Sequence, residues 1–248
     1  MTTHTPGIEA FHFPSRGADL IGFLYLGGGE GPRPTCLLFH GFPGAEKNWD
    51  IAYALRDRGW NALIWSPRGC WGSGGDYTLA GVQEDAAALC AYLRDSAWPI
   101  AWDRLALLGY SLGGAQAIQF AHARPDLAQA LVLLAPVADF LELSLSADFA
   151  AAASPFLSGT TPAGLQKAWI GQAWTANPVH LLPDLALPML LLQGDADEVT
   201  PPYLAADLAA ANPRCQLVMA AGADHAFSAH RSWLVQTATA WLVEHLGV

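Results

Sequence analysis

The chain has 248 residues, of which 52% are hydrophobic and 14% charged, and this composition excludes an intrinsically disordered protein. Its 12 basic and 22 acidic residues give a net charge of −10, which argues against a nucleic-acid or anionic-membrane surface, since both need clustered Lys and Arg. Collagen, coiled-coil and repeat architectures are also excluded, because the sequence has no glycine period, sustained heptad or internal repeat.

Apolar runs of strand length alternate with segments of helical periodicity along most of the chain. The predicted strands are residues 19–26, 35–39, 61–65, 105–108, 130–134, 189–192 and 216–219. The predicted helices are residues 47–58, 82–94, 111–123, 201–211 and 228–246. This alternation predicts an α/β fold: a doubly wound, mostly parallel sheet of about eight strands, with helices on both faces. Strand 19–26 and a short strand at 11–13 would add an antiparallel edge.

Between residues 138 and 187 the strand pattern gives way to a segment rich in Ala, Ser, Leu and Trp. This segment is too long for an ordinary connection of about 2–6 residues. We therefore predict one domain, residues 1–248, with a short helical cap inserted at about 138–187 over one end of the sheet. Within this segment, Trp169 and Trp174 are expected to pack it onto the sheet.

Cysteine usage and the first residues bear on location. The four cysteines are dispersed, without C-x-x-C or metal-ligand spacing, which is typical of small buried hydrophobes: Cys36, Cys70, Cys90 and Cys215. The start M-T-T-H-T-P-G-I-E-A has no basic segment and no apolar core, so we predict no signal peptide and a cytoplasmic protein. A protein whose signal sequence had been removed would also lack these two features. No apolar run reaches the roughly 18 residues of a membrane span.

The segment G-Y-S-L-G at residues 109–113 lies between an apolar strand and an apolar-periodic helix. This is the context of a nucleophile elbow, in which glycines relieve crowding where the strand turns sharply into the helix. Ser111 would then stand exposed at the helix N-terminus, where backbone N–H groups favour negative charge. We predict that Ser111 is a nucleophile rather than a helix cap.

A serine nucleophile needs a base and an acid later in the chain. His225 follows the last predicted strand and precedes the last helix, the place of the base in the order Ser, Asp, His. The acid is expected at the end of the preceding strand, where the sequence Q-G-D-A-D-E-V-T-P offers Asp195 and Asp197. Asp139 is a further alternative, because it follows the strand at residues 130–134.

In these motifs and their order, over essentially its whole length, the chain resembles the α/β-hydrolase fold superfamily. The family pattern G-x-x-D-x-x-x-P, laid on residues 194–201, places the acid at Asp197, with Asp195 as a turn residue. The segment H-G-F-P-G at residues 40–44 resembles the family's oxyanion loop. That likeness implies the backbone N–H groups of Phe42 and Leu112 as oxyanion donors, with His40 shaping the loop.

The resemblance implies a serine hydrolase that cleaves carboxylic esters of small to medium acyl groups through an acyl-enzyme, with no metal or organic cofactor. Its partner would be a small-molecule ester, without nucleic acid or membrane. Three alternatives stay open on the same residues. First, the turn at residues 68–75 also resembles the prolyl-oligopeptidase-like branch of peptidases and amidases. Second, a C–C bond hydrolase or perhydrolase would use the same triad. Third, a ligand-binding protein would use the same pocket without turnover. The oligomeric state is open.

Overall fold

The computed structural model describes residues 3–248, in which strands and helices alternate along most of the chain. The strands are β1 (Thr3–His4), β2 (Gly7–Ser15), β3 (Ala18–Leu26), β4 (Gly29–Glu30), β5 (Arg33–Phe39), β6 (Asn61–Trp65), β7 (Ile100–Tyr110), β8 (Ala130–Leu134), β9 (Met189–Gly194) and β10 (Cys215–Ala220). The α-helices are α1 (Trp49–Asp57), α2 (Gly81–Arg94), α3 (Leu112–Ala123), α4 (Ala147–Ala153), α5 (Pro162–Thr175), α6 (Pro178–Leu181), α7 (Pro202–Ala210) and α8 (Arg231–Leu246). Two short 3₁₀ helices cover Ser154–Phe156 and Leu182–Asp184.

One sheet of eight strands organises the described residues, in the order β10-β9-β8-β7-β5-β6-β3-β2. The six strands from β10 to β6 run parallel, and β3 and β2 add an antiparallel edge. The predicted α/β fold with a mostly parallel sheet is therefore confirmed, including its antiparallel edge. Because the carboxyl ends of parallel strands meet at one edge of a sheet, the loops after β5, β7, β9 and β10 are brought together there.

The sheet is covered on both faces, and successive residues of its central strands point to opposite cores. Leu107 belongs to the core beneath α2 and α3, whereas Leu108 belongs to the core beneath α1 and α8. Strands buried on both faces are continuous apolar runs, which is why the sequence predicted β6 and β8 with the correct bounds.

Most elements lie within two residues of their predicted bounds, and three differ by three residues or more. Strand β7 begins at Ile100 rather than residue 105, since its first half continues past the polar pair Asp103 and Arg104, opposite a register shift in β5. Helix α8 begins at Arg231 rather than residue 228, because residues 224–230 form the loop that carries His225. Strand β2 spans nine residues, where the sequence suggested three.

The segment 138–187 contributes α4, α5, α6 and both 3₁₀ helices, and it has no strand beyond a single β-bridge from Leu157 to Cys70. Asn177 holds the neck of this insertion: its amide donates to Asp139 Oδ1 at 2.8 Å and accepts from the Phe140 N–H at 3.1 Å. The division into one domain with a cap stays a prediction.

The four cysteines are free thiols, and three of them, Cys36, Cys70 and Cys90, are buried as predicted. Cys215 at the start of the edge strand β10 is half-buried. Within residues 3–248, no helix combines the length and apolar character needed to cross a membrane.

Candidate active site

Ser111 stands at the turn from β7 into α3 with φ 55° and ψ −122°, a conformation that an L-residue adopts only when its surroundings hold it there. Its N–H donates to the carbonyl of Leu134 on β8 at 2.9 Å. Its own carbonyl accepts from the N–H groups of Gly114 at 2.9 Å and Val137 at 3.0 Å. Three backbone hydrogen bonds therefore fix the strained residue between two strands and a helix.

The two outer glycines of the G-x-S-x-G segment are required by close backbone approach. A Cβ on Gly109 would lie 2.3 Å from the carbonyl oxygen of Gly113. A Cβ on Gly113 would lie 2.1 Å from the carbonyl oxygen of Phe39, at the end of β5. Both obstacles are backbone atoms that cannot rotate away, so the sharp turn excludes any side chain at these positions.

His225 lies in the loop between β10 and α8, where it reaches both of its predicted partners. Its Nε2 is 3.0 Å from Ser111 Oγ, and its Nδ1 is 2.8 Å from Asp197 Oδ2. The side chain of Asp197 is fully buried, whereas that of His225 keeps 16% of its surface exposed. The structure thus brings Ser111, His225 and Asp197 into one hydrogen-bonded chain at the carboxyl edge of the sheet.

Asp197 is the most heavily hydrogen-bonded carboxylate of this site. Its Oδ1 accepts from the backbone N–H groups of Val199 and Thr200 at 2.8 and 2.9 Å. Its Oδ2 accepts from Gln193 Nε2 at 2.9 Å, Thr200 Oγ1 at 2.8 Å and His225 Nδ1. Burial pushes the pKa of Asp197 upward, but the hydrogen bonds and the adjacent His225 outweigh it and hold that pKa below its usual value. The carboxylate is therefore ionised and oriented toward the imidazole.

The two other acids that the sequence left open are occupied elsewhere. Asp195 Oδ1 accepts from the N–H of Gly222 at 2.6 Å, so this carboxylate ties the loop after β9 to the loop after β10. Asp139 accepts from Leu141 N–H at 2.7 Å and from Asn177 at the neck of the insertion. Only Asp197 of the three reaches His225.

The two predicted oxyanion donors belong to residues that line the cavity beside Ser111. Leu112 is the first residue of α3, so its N–H has no acceptor within the helix. Phe42 lies in the loop after β5, and a Cβ on neighbouring Gly41 would lie 3.2 Å from Ser111 Cβ. The loop backbone therefore passes directly beside the nucleophile.

His40, at the start of the same loop, is placed as a structural residue. Its Nδ1 lies 2.8 Å from the Gly41 carbonyl oxygen, and burial together with nearby Lys47 lowers its pKa to about 3, so the imidazole is neutral. Its ring packs at Gly44, where a Cβ would lie 2.8 Å from His40 Cε1.

A cavity of about 410 Å³ opens in front of the triad. None of the side chains that line it belongs to Asp, Glu, Lys or Arg. They come from the turn between β7 and α3, from the loops after β5, β8, β9 and β10, and from the insertion: Phe42, Tyr110, Ser111, Leu112, Val137, Leu143, Ser144, Leu145, Ser146, Phe149, Trp169, Val199, Thr200 and His225. At the low end of the range for ligand sites, the cavity fits a small or medium apolar group.

The insertion contributes one wall of this cavity, which tests the expectation for its two tryptophans. Trp169 is buried, packs edge-on against Phe140 and lines the cavity. Trp174 has 77% of its surface exposed, so the expectation that it packs onto the sheet was wrong. The two residues are five apart on α5, and this spacing puts them on different faces of the helix.

Sequence reasoning missed two residues that touch the triad. Thr200 Oγ1 lies 2.8 Å from Asp197 Oδ2 and 3.1 Å from His225 Nδ1, and Gln193 donates to the same carboxylate oxygen. A signal for Gln193 was present: it is the polar residue that follows the apolar run of β9. Within residues 3–248, no cluster of three or more His, Cys, Asp or Glu side chains is arranged to hold a metal ion.

Comparison with known proteins identifies the family of this chain. A model of the alpha/beta hydrolase fold family matches residues 34–183, and a model described as TAP-like protein matches residues 165–244. The chain is 29% identical over 197 residues to the alpha/beta hydrolase domain-containing protein WAV2 of Arabidopsis thaliana. The match covers 75% of this chain and 61% of WAV2, so the chain spans less than two thirds of that relative's length.

Two solved esterases have the same fold. Est1E from Butyrivibrio proteoclasticus, solved with ferulic acid bound, superimposes with a TM-score of 0.79 at 21% identity, covering 96% of this chain and 100% of that one. A thermophilic esterase from Thermogutta terrifontis, with malate bound, gives a TM-score of 0.70 at 21% identity over 96% and 99% of the two chains.

Proposed function

The chain belongs to the α/β-hydrolase fold family, and from this premise we propose that it is a serine hydrolase that cleaves carboxylic esters of small to medium acyl groups. The observation that carries the proposal is the continuous chain of hydrogen bonds from Ser111 through His225 to Asp197. A small-molecule ester as the partner and a cytoplasmic location belong to the same proposal.

In the acylation step, Ser111 Oγ attacks the ester carbonyl carbon while His225 Nε2, 3.0 Å away, takes its proton. The resulting imidazolium is stabilised by the buried carboxylate of Asp197, which also holds the Nδ1–H tautomer. The alcohol leaves as His225 returns the proton to its oxygen. Water then repeats the attack on the acyl-enzyme with the same base, which releases the acid and frees Ser111.

The negative charge of each tetrahedral intermediate lies on the former carbonyl oxygen. The N–H groups of Phe42 and Leu112 are the donors we assign to it, since both residues line the cavity beside Ser111. The N-terminus of α3, which begins at Leu112, adds its dipole to the same place. Each backbone donor of this kind is worth roughly 10²–10³ in rate.

The cavity supports the choice of substrate class. Its walls carry no Asp, Glu, Lys or Arg side chain, so a charged acyl group would lose its hydration without gaining a counter-ion. Phe42, Phe149 and Trp169 give it aromatic walls, and Est1E, which shares the fold, was solved with ferulic acid bound. We therefore include an aromatic acyl ester beside the aliphatic ones.

The test compares wild type, Ser111→Ala and the matched control Ser96→Ala, whose serine lies two residues after α2 and donates to the carbonyl of Leu93. Each is assayed on p-nitrophenyl acetate, butyrate, octanoate and palmitate and on methyl ferulate. We expect turnover with an optimum below palmitate, a loss of roughly 10⁴-fold or more in Ser111→Ala, and no change in Ser96→Ala.

The other outcomes separate the alternatives. Turnover that survives in Ser111→Ala would contradict the proposed nucleophile. Absence of ester turnover in the wild type, together with labelling of Ser111 by a fluorophosphonate, would favour amide or C–C bond substrates. Absence of both would favour a ligand-binding protein.

A further inference from the structure

Lys47 is a buried cation that the hydrolytic mechanism does not use. Only 8% of its surface is exposed, and within residues 3–248 no carboxylate lies within ion-pair distance of its ammonium group. Its one hydrogen bond is from Nζ to the hydroxyl of Ser66, at 2.9 Å. A buried charge without a counter-ion destabilises a fold, so its presence calls for another role.

The surroundings of Lys47 connect it to the oxyanion loop, residues 40–44. The ammonium group lies over the indole ring of Trp71, 5.6 Å from its centroid, which is within the range of a cation–π contact. The indole Nε1–H of Trp71 donates to the carbonyl oxygen of Pro43 at 2.6 Å. Gly44, at φ 100°, lets the same indole approach the loop backbone, since a Cβ there would lie 2.5 Å from Trp71 Nε1.

Trp71 needs such an anchor because little else restrains it. It has 41% of its surface exposed, it adopts φ 47°, and its other aromatic contact is a stack on Phe156, which is itself half-exposed. The cation on one side of the indole therefore fixes the ring whose N–H holds the loop.

Resting on the serine-hydrolase function proposed above, we propose that Lys47 is a positioning residue for the oxyanion hole. Its charge holds Trp71, Trp71 holds the Pro43 carbonyl, and the Phe42 N–H is thereby kept aimed at the developing oxyanion. A donor displaced by about 1 Å stabilises the transition state much less while ground-state binding changes little, so the effect belongs in kcat rather than KM.

The groups that face Lys47 define how its charge responds to pH. Burial lowers the pKa of Lys47 to about 8, with Cys70 opposing the shift. From the loop after β6, burial raises the pKa of Cys70 to about 12, with Asp85 of α2 facing that thiol. From its own loop, His40 has a pKa near 3. Between about pH 5 and 10, Lys47 is thus the group among His40, Cys70 and itself that changes charge.

Activity and stability then respond to pH with opposite signs. The kcat of the wild type falls as pH rises through about 8, because a neutral amine no longer attracts the indole face. Stability rises between about pH 8 and 10.5, because there the unfolded chain binds a proton that the folded chain has released.

The test compares Lys47→Met with Lys167→Met, the second lysine of the chain, which is exposed on α5. For Lys47→Met we expect kcat and the rate of fluorophosphonate labelling to fall by about 10–100-fold, with KM within about threefold. At pH 7 the melting temperature should rise by about 2–4 °C, and this gain should shrink at pH 10. Lys167→Met should match the wild type throughout.

Trp71→Phe provides an independent variant, because it keeps an aromatic ring, although a smaller one, and removes the N–H donor. We expect a similar fall in kcat. The kcat of the double variant, which carries Lys47→Met and Trp71→Phe, should lie no more than about twofold below that of the less active single variant. Wild-type kcat in either single variant, or additive losses in the double variant, would overturn the role of Lys47. A fall in kcat together with a lower melting temperature of Lys47→Met at pH 7 would also overturn it, since a packing residue would produce both effects. If the wild type itself is neither active nor labelled, the proposed function fails first and this role fails with it.

Discussion

The loops that carry the triad and the insertion at residues 138–187 are held in place by different forces. Asp197 accepts five hydrogen bonds, and Ser111 is fixed by three backbone hydrogen bonds to its neighbours. The insertion is hydrogen-bonded at its neck, where Asn177 donates to Asp139, but elsewhere it rests on aromatic contacts such as Phe42 with Phe149 and Trp71 with Phe156. Its outer face leaves large apolar side chains exposed.

This difference separates two tasks. The hydrogen bonds at the carboxyl edge of the sheet hold the reacting groups in a single arrangement, and stabilisation of a transition state requires such a fixed arrangement. Apolar packing over the cavity has no directional demand, so side chains there can change size without disturbing the triad. We infer that the sheet edge determines the reaction and that the insertion determines which acyl groups fit.

The largest effect is expected at the acid. Asp197→Asn should lower kcat by about 10⁴, because an amide no longer stabilises the imidazolium or selects the correct tautomer of His225. Steady-state kinetics on p-nitrophenyl butyrate measures this loss. Asp195→Asn and Asp139→Asn are the matched controls and should keep kcat within a few-fold, since their carboxylates bond to backbone and to Asn177 instead. An equal loss in either control would contradict the assignment.

Glycine substitutions compare the two regions directly. Gly113→Ala should destabilise the fold by about 3 kcal/mol or more, because the new Cβ meets the Phe39 carbonyl oxygen at 2.1 Å. Gly171→Ala, on helix α5 with nothing within 4 Å of the new Cβ, should stabilise it by about 0.5–1 kcal/mol. Urea unfolding of the two variants measures both values. If Gly113→Ala unfolds at the same urea concentration as the wild type, the turn at Ser111 does not exclude a side chain at residue 113.

Enlarging the insertion side of the cavity should change selectivity and leave the chemistry intact. Trp169→Leu should raise the ratio of kcat/KM for octanoate over butyrate by about tenfold, while kcat on acetate stays near the wild-type value. The matched control is Trp174→Leu, whose side chain is 77% exposed on the same helix. A changed ratio in the control, or none in Trp169→Leu, would show that the insertion does not set the acyl range.

The smallest effect is expected at Thr200, whose hydroxyl touches the acid and the base. Thr200→Val removes a hydrogen bond of about 1 kcal/mol, so kcat should fall by about fivefold, and Thr200→Ser should retain activity.

We also expect Thr200→Val to change how the stability of the fold depends on pH. Because the pKa of Asp197 lies below its usual value, this carboxylate stabilises the native state above the unfolded pKa of about 4, and that contribution is lost as pH falls through the lower folded value. Losing the hydroxyl raises the folded pKa, so acid unfolding of Thr200→Val should begin at a higher pH. An unchanged acid transition would contradict this.

The sequence predicted the α/β fold and the sharp turn at Ser111 because both follow from local patterns. Buried parallel strands are continuous apolar runs, and the sharp turn at Ser111 requires glycine on both sides. These signals are confined to a few consecutive residues, so no tertiary information is needed to recognise them.

The remainder depends on contacts between distant segments. Neither the exposure of Trp174 nor the burial of Lys47 can be inferred from neighbours in sequence, since Lys47 lies between the polar residues Glu46 and Asn48 at the start of a predicted helix. The resemblance to a family pattern favoured Asp197. Its partners Thr200 and Gln193 lie within four residues of it in the chain, and they become evident only from the folded shape of the loop after β9.

The central claim is that Ser111 carries the acyl group between two half-reactions. Rapid-quench mass spectrometry of the wild type mixed with p-nitrophenyl butyrate tests it directly. We expect a transient mass increase of one butyryl group, located on the peptide that contains Ser111 and absent from Ser111→Ala. A burst of p-nitrophenol without a butyryl adduct at any quench time would contradict this role of Ser111. A butyryl adduct of equal yield in Ser111→Ala would also contradict it.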